Sequence, residues 1–487
     1  MASEAVANQP NIIVVMADDL GYADMSFKSD SPDDVETPGI DALRERSVFF
    51  ENAYATSPIC SPSRVGFMTG RYQQRWGNYW YSEGGLPSDE ETIAEALKKL
   101  GYVTKKIGKV HTNGGTAEHP LDHGFDEFLG FVHHTHDYIR LSEKDAEAYE
   151  KKKKGSSSAA TIGPLIRGRD EMVSYEDSYT TDIFTVEAVE YISREHSKPF
   201  YLQIEHNAVH MPTYVTFHKY GQKFGIENLK WDRNAAEWNF PYWDPDKEPW
   251  NEWHREKWGH LGAVDPQGRL RYLSHLAALD TSISRITESL KKAGIDKNTV
   301  IVFLSDNGGT INTYSNNTPL RGYKYMFGEG GIRIPMMISI SGNKMPESIS
   351  AVVSAMDVFP TLVELAGGRV SKHLDGKTLL PLISGKTARH HDQLFWAQGK
   401  SDTWVARKGN WKLTHHAGWI HKNFAYDEEG NAVRDDDYVY ADGICLYDLK
   451  NDVSEEVNLA DDRPEIVAEI MDLYKEWRSQ MAPPKRL

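Results

Sequence analysis

The chain has 487 residues, of which 40% are hydrophobic and 26% charged. That balance suits a globular protein with a sizeable core and excludes disordered or collagen-like chains. Lys and Arg total 55 against 71 Asp and Glu, a net charge of −16. Nucleic-acid binders normally carry the opposite surplus, because neutralising phosphates supplies most of their affinity. An acidic chain can still hold an anion in a local cationic pocket.

Two cysteines, Cys60 and Cys445, build no disulfide framework and leave the redox compartment open. No run of about 18 apolar residues occurs, so no membrane span is expected. The stretch from Met1 to Asn8 lacks the basic and apolar regions of a signal peptide. An exported protein with its signal removed is the preferred reading, with a cytoplasmic protein as the alternative.

In chain order, Asn11 to Ala17 is a continuous apolar, β-branched run that suits a buried parallel strand. A helix is expected from Thr37-Pro38, with a cap and a first-turn proline. Another is expected from a capping box at Ser88-Asp89-Glu90-Glu91, closing at Gly101. Strand-like runs recur at 102–106, 200–204 and 299–304, with a long helix over 270–293. Alternation of this kind predicts an α/β fold, a large, mostly parallel sheet sandwiched by helices. From about residue 390 the pattern changes to short strands at 394–397, 404–407 and 411–414, then an amphipathic helix over 463–478. The expected division is a catalytic domain over 8–388 and a smaller C-terminal α+β domain over 389–487, an antiparallel sheet plus one helix. Lys151 to Ser158 reads as a solvated loop.

In open α/β sheets the chemistry gathers at the carboxyl ends of the strands. Two strands end in oxygen ligands, at Asp18-Asp19 and at Asp306-Asn307. If the strands are neighbours, these four residues converge, and carboxylates packed together need a cation. All-oxygen ligation points to Ca²⁺ or Mg²⁺. The alternative is that each pair simply makes a turn. Farther on, Pro62 fits the first turn of a helix and sets Cys60 just before its N-terminus, a place that lowers a thiol pKa. Arg64, one turn on, could hold a sulfate or phosphate oxygen.

Cys60-Ser61-Pro62-Ser63-Arg64 resembles the signature of the type I, formylglycine-dependent sulfatases, of alkaline-phosphatase-like fold. Other blocks match that family in order along nearly the whole chain: Asp18-Asp19, Gly108-Lys109-Val110-His111, His123-Gly124-Phe125-Asp126, His210-Met211-Pro212, Asp306-Asn307-Gly308-Gly309, and Lys324 ahead of Glu329-Gly330-Gly331-Ile332-Arg333-Ile334-Pro335. The resemblance implies that Cys60 is oxidised to Cα-formylglycine by a formylglycine-generating or anaerobic sulfatase-maturating enzyme, and that its hydrated aldehyde attacks a sulfate ester. It also implies one Ca²⁺ held by Asp18, Asp19, Asp306, Asn307 and the modified residue 60. Arg64 and Lys109 would hold the oxygens of the nucleophile, and His111 would later take its proton. Lys324 and His210 would meet the sulfate near the bridging oxygen, one of them as general acid.

The substrate is less legible. Six of the 13 tryptophans fall at 231–258, among them Trp243, and could stack on sugar rings or simply pack their own segment. Arg71, Arg75, Trp76, His133, His134 and His136 are further candidates for reading a sugar, whereas His206 reads as a turn histidine. Tyr323 and Tyr325 flank Lys324 where the family more often has small residues. The expected activity is sulfate-ester hydrolysis on an algal polysaccharide or a glycosaminoglycan. The rivals are a phosphonate or phosphate ester hydrolase of the same superfamily and a carbohydrate-binding pseudoenzyme.

Overall fold

The computed structural model describes residues 9–80, 83–112, 119–136, 138, 164–173, 178–211, 213, 218–226, 267–310, 313–341, 345–399, 403–415, 418–421, 425–426, 432–433, 438–441 and 443–485. The expected loop at 151–158 and the tryptophan-rich segment, Trp243 included, lie outside the described residues. No described helix is long and apolar enough to cross a membrane.

Ten strands form the main sheet: Asn11–Ala17 (β1), Val48–Tyr54 (β2), Val103–Lys109 (β3), Glu127–Phe131 (β4), Leu165–Arg167 (β5), Glu171–Val173 (β6), Phe200–Glu205 (β7), Thr299–Ser305 (β8), Met336–Ile340 (β9) and Ser348–Ser354 (β10). Their order across the sheet is β10-β2-β9-β8-β1-β7-β3-β4-β5-β6. The central run β8-β1-β7-β3 is parallel throughout. Antiparallel pairings occur where β9 meets β8 and β2, and along β4-β5-β6.

β1 is buried along its whole length because both faces are covered. Ile13, Val15 and Ala17 pack in one core with residues of helices Thr180–Ser193 and Gly268–Ala293, such as Phe184 and Ile283. Ile12, Val14 and Met16 pack in the other, with Val65, Leu97 and Leu362 from helices Cys60–Thr69, Ile93–Lys99 and Val358–Leu365. The two-residue side-chain period of a strand therefore divides one apolar run between two cores.

Two helix starts differ from expectation. The capping box lies at Thr92 and Glu95, where Thr92 Oγ1 accepts from Glu95 N and Glu95 accepts from Thr92 N. Thr92 Oγ1 also donates to the carbonyl of His123 at 2.9 Å, a tertiary anchor for this helix start. Helix Pro38–Arg44 has no cap from the Thr37 side chain. Its free N–H groups at Gly39 and Ile40 donate instead to Asp280 on the long helix, at 3.0 and 2.7 Å.

Beyond the main sheet, Gln393–Ala397 (β11), Trp404–Lys408 (β12), Trp411–His415 (β13), Gly418–His421 (β14), Ala425–Tyr426 (β15), Ala432–Val433 (β16), Tyr438–Ala441 (β17) and Ile444–Asp448 (β18) follow. β11-β12-β13-β18 form an antiparallel sheet, and β14-β17 and β15-β16 form two small ladders. Helix Pro464–Ser479 packs its Ile470, Tyr474 and Trp477 against Phe395, Trp404 and Leu413 of that sheet.

Candidate active site

Four neighbouring strands bring their carboxyl ends together. Ala17 of β1 pairs with Ser305 of β8, so Asp18 and Asp306 follow side by side. Glu205 ends β7 and pairs with Met16 on one side and Gly108 on the other, which places Lys109 next in the row. Asp19 and His111 have positive φ, 60° and 40°, so the chain turns sharply just beyond β1 and β3. Such conformations are uncommon for non-glycine residues and gather at functional sites.

Helix Cys60–Thr69 comes down onto this row. Cys60 is its first residue, with Ile59 rather than a polar side chain at the cap. Cys60 Sγ lies 3.8 Å from Asp18 Oδ1 and is 2% exposed. The expectation of a lowered thiol pKa is corrected here. Burial pushes the thiol up to about 12; Lys109 and Lys324 pull it down, but Asp306 and Asp18 add to the rise. Near neutral pH burial therefore favours the protonated thiol.

Arg64 is fully buried and fixed by carboxylates on three sides. Its Nε and Nη2 donate to Asp306 Oδ2 at 3.0 and 2.8 Å, its Nη1 pairs with Glu205, and its Nη2 lies 3.4 Å from Asp18 Oδ1. Glu205 also accepts from Lys106 and Gln203. Lys109 Nζ pairs with Asp18 and Lys324 Nζ donates to Asp19 Oδ2 at 2.9 Å. His210 Nδ1 must donate to the carbonyl of Met211 at 2.6 Å, since a carbonyl only accepts. That leaves Nε2 facing Asp19 Oδ2 at 3.7 Å.

The charges do not cancel evenly. Burial works to raise the Asp18 pKa, but Lys109, Arg64 and Lys324 outweigh it and hold the carboxyl below its usual range. Asp19 goes the other way, to about 6, because burial and the charges of Asp18 and Asp306 exceed the pull of Lys324. Asp306 is also raised, by burial and by Asp18. Asn307 Nδ2 donates to Asp19 Oδ1 at 2.7 Å, while its Oδ1 is buried with no hydrogen-bond partner. Two under-compensated carboxylates and an orphaned amide oxygen are what a hard cation would complete, so the donor set fits Ca²⁺. Metal-ligand atoms of Asp18, Asp19, Cys60 and His210 also lie within 4.8 Å of one another. The ion pairs with Arg64, Lys109 and Lys324 show that a metal is not the sole neutralising charge.

His111 Nδ1 is likewise buried without a partner, and burial with Lys109 and His134 nearby drives its pKa well below the ordinary value. His210 is driven down by burial, Lys324 and Lys109. Both imidazoles are neutral near pH 7. Lys324 stays charged: burial opposes its ammonium, but Asp19 together with Cys60, Tyr325 and Asp18 outweighs it.

The sugar-reading candidates divide. The His134 ring lies 6.0 Å from that of His111, at the edge of the site. Burial, then Lys109 and Lys324, lower its pKa to about 4. His133 is exposed, whereas His136 is buried against Phe131. Arg71, Arg75 and Trp76 lie beyond the far end of helix Cys60–Thr69, roughly 15 Å along its axis from Cys60 at 1.5 Å per residue. Arg71 pairs with Glu90, Arg75 with Asp375, and the Trp76 indole N–H donates to Gly85 O. The structure does not bring these three to the site. His206 is buried beside β7, not in a turn, with Nε2 3.0 Å from Ser282 Oγ on the long helix.

Sequence reasoning passed over Glu205, the residue shared by Arg64 and Lys106. Its signal was the acidic residue ending a buried strand that is apolar apart from Gln203. It also passed over Trp80, whose ring lies 6.0 Å from that of Tyr325, the neighbour of Lys324.

The sequence profile of the sulfatase family matches residues 10–368, and that of the N-sulphoglucosamine sulphohydrolase C-terminal region matches 322–481. Arylsulfatase J of Mus musculus is 26% identical over 520 residues, covering 99% of this chain and 78% of that protein. N-acetylgalactosamine-6-sulfatase of Mus musculus is 28% identical over 396 residues, covering 77% of this chain and 66% of that protein. Among solved structures, Ps i-CgsB in complex with k-i-k-neocarrahexaose superposes with a TM-score of 0.77 at 27% identity, covering 97% of this chain and 94% of the other. A phosphonate monoester hydrolase of Agrobacterium radiobacter shares the fold, with a TM-score of 0.59 at 19% identity.

Proposed function

The chain belongs to the sulfatase family, and from that premise we propose that it hydrolyses sulfate esters on a sulfated carbohydrate through Cys60 matured to formylglycine, with Ca²⁺ at Asp18, Asp19, Asp306 and Asn307. The carrying observation is the convergence of Cys60, those four residues and three cationic side chains at the ends of β8, β1, β7 and β3. The carbohydrate class is supported by relatives named for N-acetylgalactosamine 6-sulfate and by the likeness to a structure bound to a neocarrahexaose.

Residue 60, once matured, would supply an oxygen nucleophile, and a cation held by Asp18, Asp19, Asp306 and Asn307 would supply positive charge to the sulfate. The remaining work falls to the chain's own side chains. Arg64 is held rigid by Asp306 and Glu205, so it presents its charge without reorganising. Lys109 and Lys324 complete a cationic cradle for the sulfate oxygens, in a protein whose net charge would otherwise repel an anion. His111, neutral and unpartnered at Nδ1, is fitted to take a proton from residue 60. His210, with its proton held on Nδ1 by Met211 O, keeps Nε2 as an acceptor, so the proton for the leaving oxygen falls to charged Lys324, which also stabilises the developing alkoxide. Because Cys60 is buried, its maturation is expected to precede folding of this region, which fits an enzyme acting on an extended chain.

The test is the mass of the peptide containing Cys60 from protein made together with a maturating enzyme, followed by sulfate release from a panel of sulfated oligosaccharides. Conversion of the thiol to an aldehyde removes about 18 Da, and Cys60→Ala is expected to fold normally without turnover. An unmodified but active protein, or substantial activity in Cys60→Ala, would overturn the mechanism. Faster release from phosphonate monoesters than from sulfates would favour the rival activity that shares this fold.

A further inference from the structure

Lys324 sits in a loop that begins after β8 and returns at β9, and the loop is gripped from outside the main sheet. Its near side is fastened to the site: Lys324 N donates to Gly309 O at 2.9 Å, and Tyr325 N donates to Pro58 O at 2.8 Å. Its base is fastened to residues far along the chain. Glu455, in the connection after β18, accepts the N–H of Glu329 on Oε2 at 2.6 Å, and its backbone carbonyl accepts from Arg321 Nη1. Lys412 on β13 lies between Glu329 Oε1 at 3.0 Å and Glu455 Oε1 at 2.8 Å. Gly330 N closes the base by donating to Arg321 O at 2.7 Å.

One residue therefore holds both ends of the segment 321–329, three residues before Lys324 and five after it. Glu455, Lys412 and Glu329 are each 0% exposed. Glu455 has a φ of 56°, a conformation with a steric cost for a side chain of this size. Buried ions are expensive unless each meets its partners. A conformational and desolvation cost concentrated in one residue that ties a catalytic loop calls for a role beyond packing.

We propose that Glu455, together with Lys412, is a positioning residue that sets where Lys324 stands against the leaving oxygen, so that the C-terminal sheet governs the chemistry of the main-sheet site. The inference rests on the assignment of Lys324 to the leaving group. Displacing a charge that stabilises a developing oxyanion harms poor leaving groups more than good ones, whereas loosening the fold harms all alike.

The experiment measures kcat and KM of matured enzyme on 4-nitrophenyl, 4-chlorophenyl and phenyl sulfates, for wild type, Lys324→Ala, Glu455→Gln, Arg321→Met and the Lys324→Ala/Glu455→Gln double variant. Lys324→Ala is expected to steepen the dependence of kcat on leaving-group basicity. Glu455→Gln should steepen it in the same sense, with about a tenfold loss on phenyl sulfate and roughly threefold or less on 4-nitrophenyl sulfate. The double variant should match Lys324→Ala, since two residues acting through one interaction are not additive. If Glu455→Gln does not fold, Arg321→Met, which releases the other end of the loop without unpairing a buried carboxylate, must show the steepening. An unchanged slope in Lys324→Ala removes the leaving-group assignment itself. A steepened slope there, with a flat or uniform loss in Glu455→Gln and Arg321→Met, overturns the positioning role alone.

Discussion

Two buried clusters of titratable side chains lie at opposite ends of helix Cys60–Thr69, and they are built to different standards. Around Asp357, beyond the C-terminal end, both carboxylate oxygens accept hydrogen bonds. Oδ1 accepts from Lys377 N at 2.7 Å and meets His391 Nε2 at 2.8 Å; Oδ2 accepts from Ser354 N at 2.7 Å and faces His390 Nε2 at 3.1 Å. Burial alone would raise this carboxyl, but His391 and His390 hold it well below its usual range. At the N-terminal end, Asp19 and Asp306 are raised, and Asn307 Oδ1 and His111 Nδ1 have no partner. The first cluster holds its carboxylate with hydrogen bonds to both oxygens; the second leaves polar atoms unpartnered among raised carboxylates, as the proposed ion and substrate site requires. Residue types alone would not separate them, since Asp357, His390 and His391 also have the makings of a metal site.

The contrast breaks most sharply under substitution. Asp357→Ala strands two N–H groups and two imidazoles in the interior and is expected to cost on the order of 4 kcal/mol of stability, with kcat of the folded fraction unchanged. His111→Ala strands no partner at Nδ1, so stability should hold while kcat falls about 100-fold. Denaturant midpoints and kcat measured on both variants decide it; a catalytic defect in Asp357→Ala or a large stability loss in His111→Ala would erase the distinction.

Metal removal sharpens it further. Ligand at one hundred times its Kd stabilises the native state by about 2.7 kcal/mol, so chelation should lower melting temperature and turnover together, and Ca²⁺ should restore both. A melting curve that does not move after verified removal would show that Arg64, Lys109 and Lys324 suffice for the carboxylates.

The smallest effect concerns an ion pair away from both clusters. Glu187 meets Lys105 Nζ at 2.5 Å and Arg167 Nη1 at 2.9 Å. Burial opposes its charge, but these partners win and lower its pKa to about 2. A depressed carboxyl stabilises fully above its unfolded value near 4.5 and loses that contribution as pH falls towards about 2. Glu187→Gln should therefore lose part of the acid dependence of melting temperature in that window and little above it. An identical acid profile in wild type and variant would count against the pair.

Much of the site was legible because its residues are local and chemically unusual where they stand. Asp18-Asp19 and Asp306-Asn307 end apolar runs, and the Cys60 to Arg64 segment has a pattern that few other structures require. Arg71, Arg75 and Trp76 were misleading for the opposite reason. A cation near a signature helix is only a cation until its partner is known, and here Glu90 and Asp375 take the two charges. β2 escaped notice because Glu51 and Asn52 interrupt its apolar pattern where it pairs with half-exposed β10.

The sequence by itself determined the buried parallel strand at 11–17, the long helix, the short C-terminal strands and the family resemblance carried by the Cys60 to Arg64 segment, because each depends on neighbours within a few residues. The tertiary structure alone decided what those groups experience. It raised the Cys60 thiol by burial where a helix terminus suggested lowering, capped Pro38–Arg44 with Asp280 from 240 residues away, and tied the Lys324 loop to Glu455. Desolvation and long-range pairing depend on what packs around a group, and no local pattern of residues specifies that.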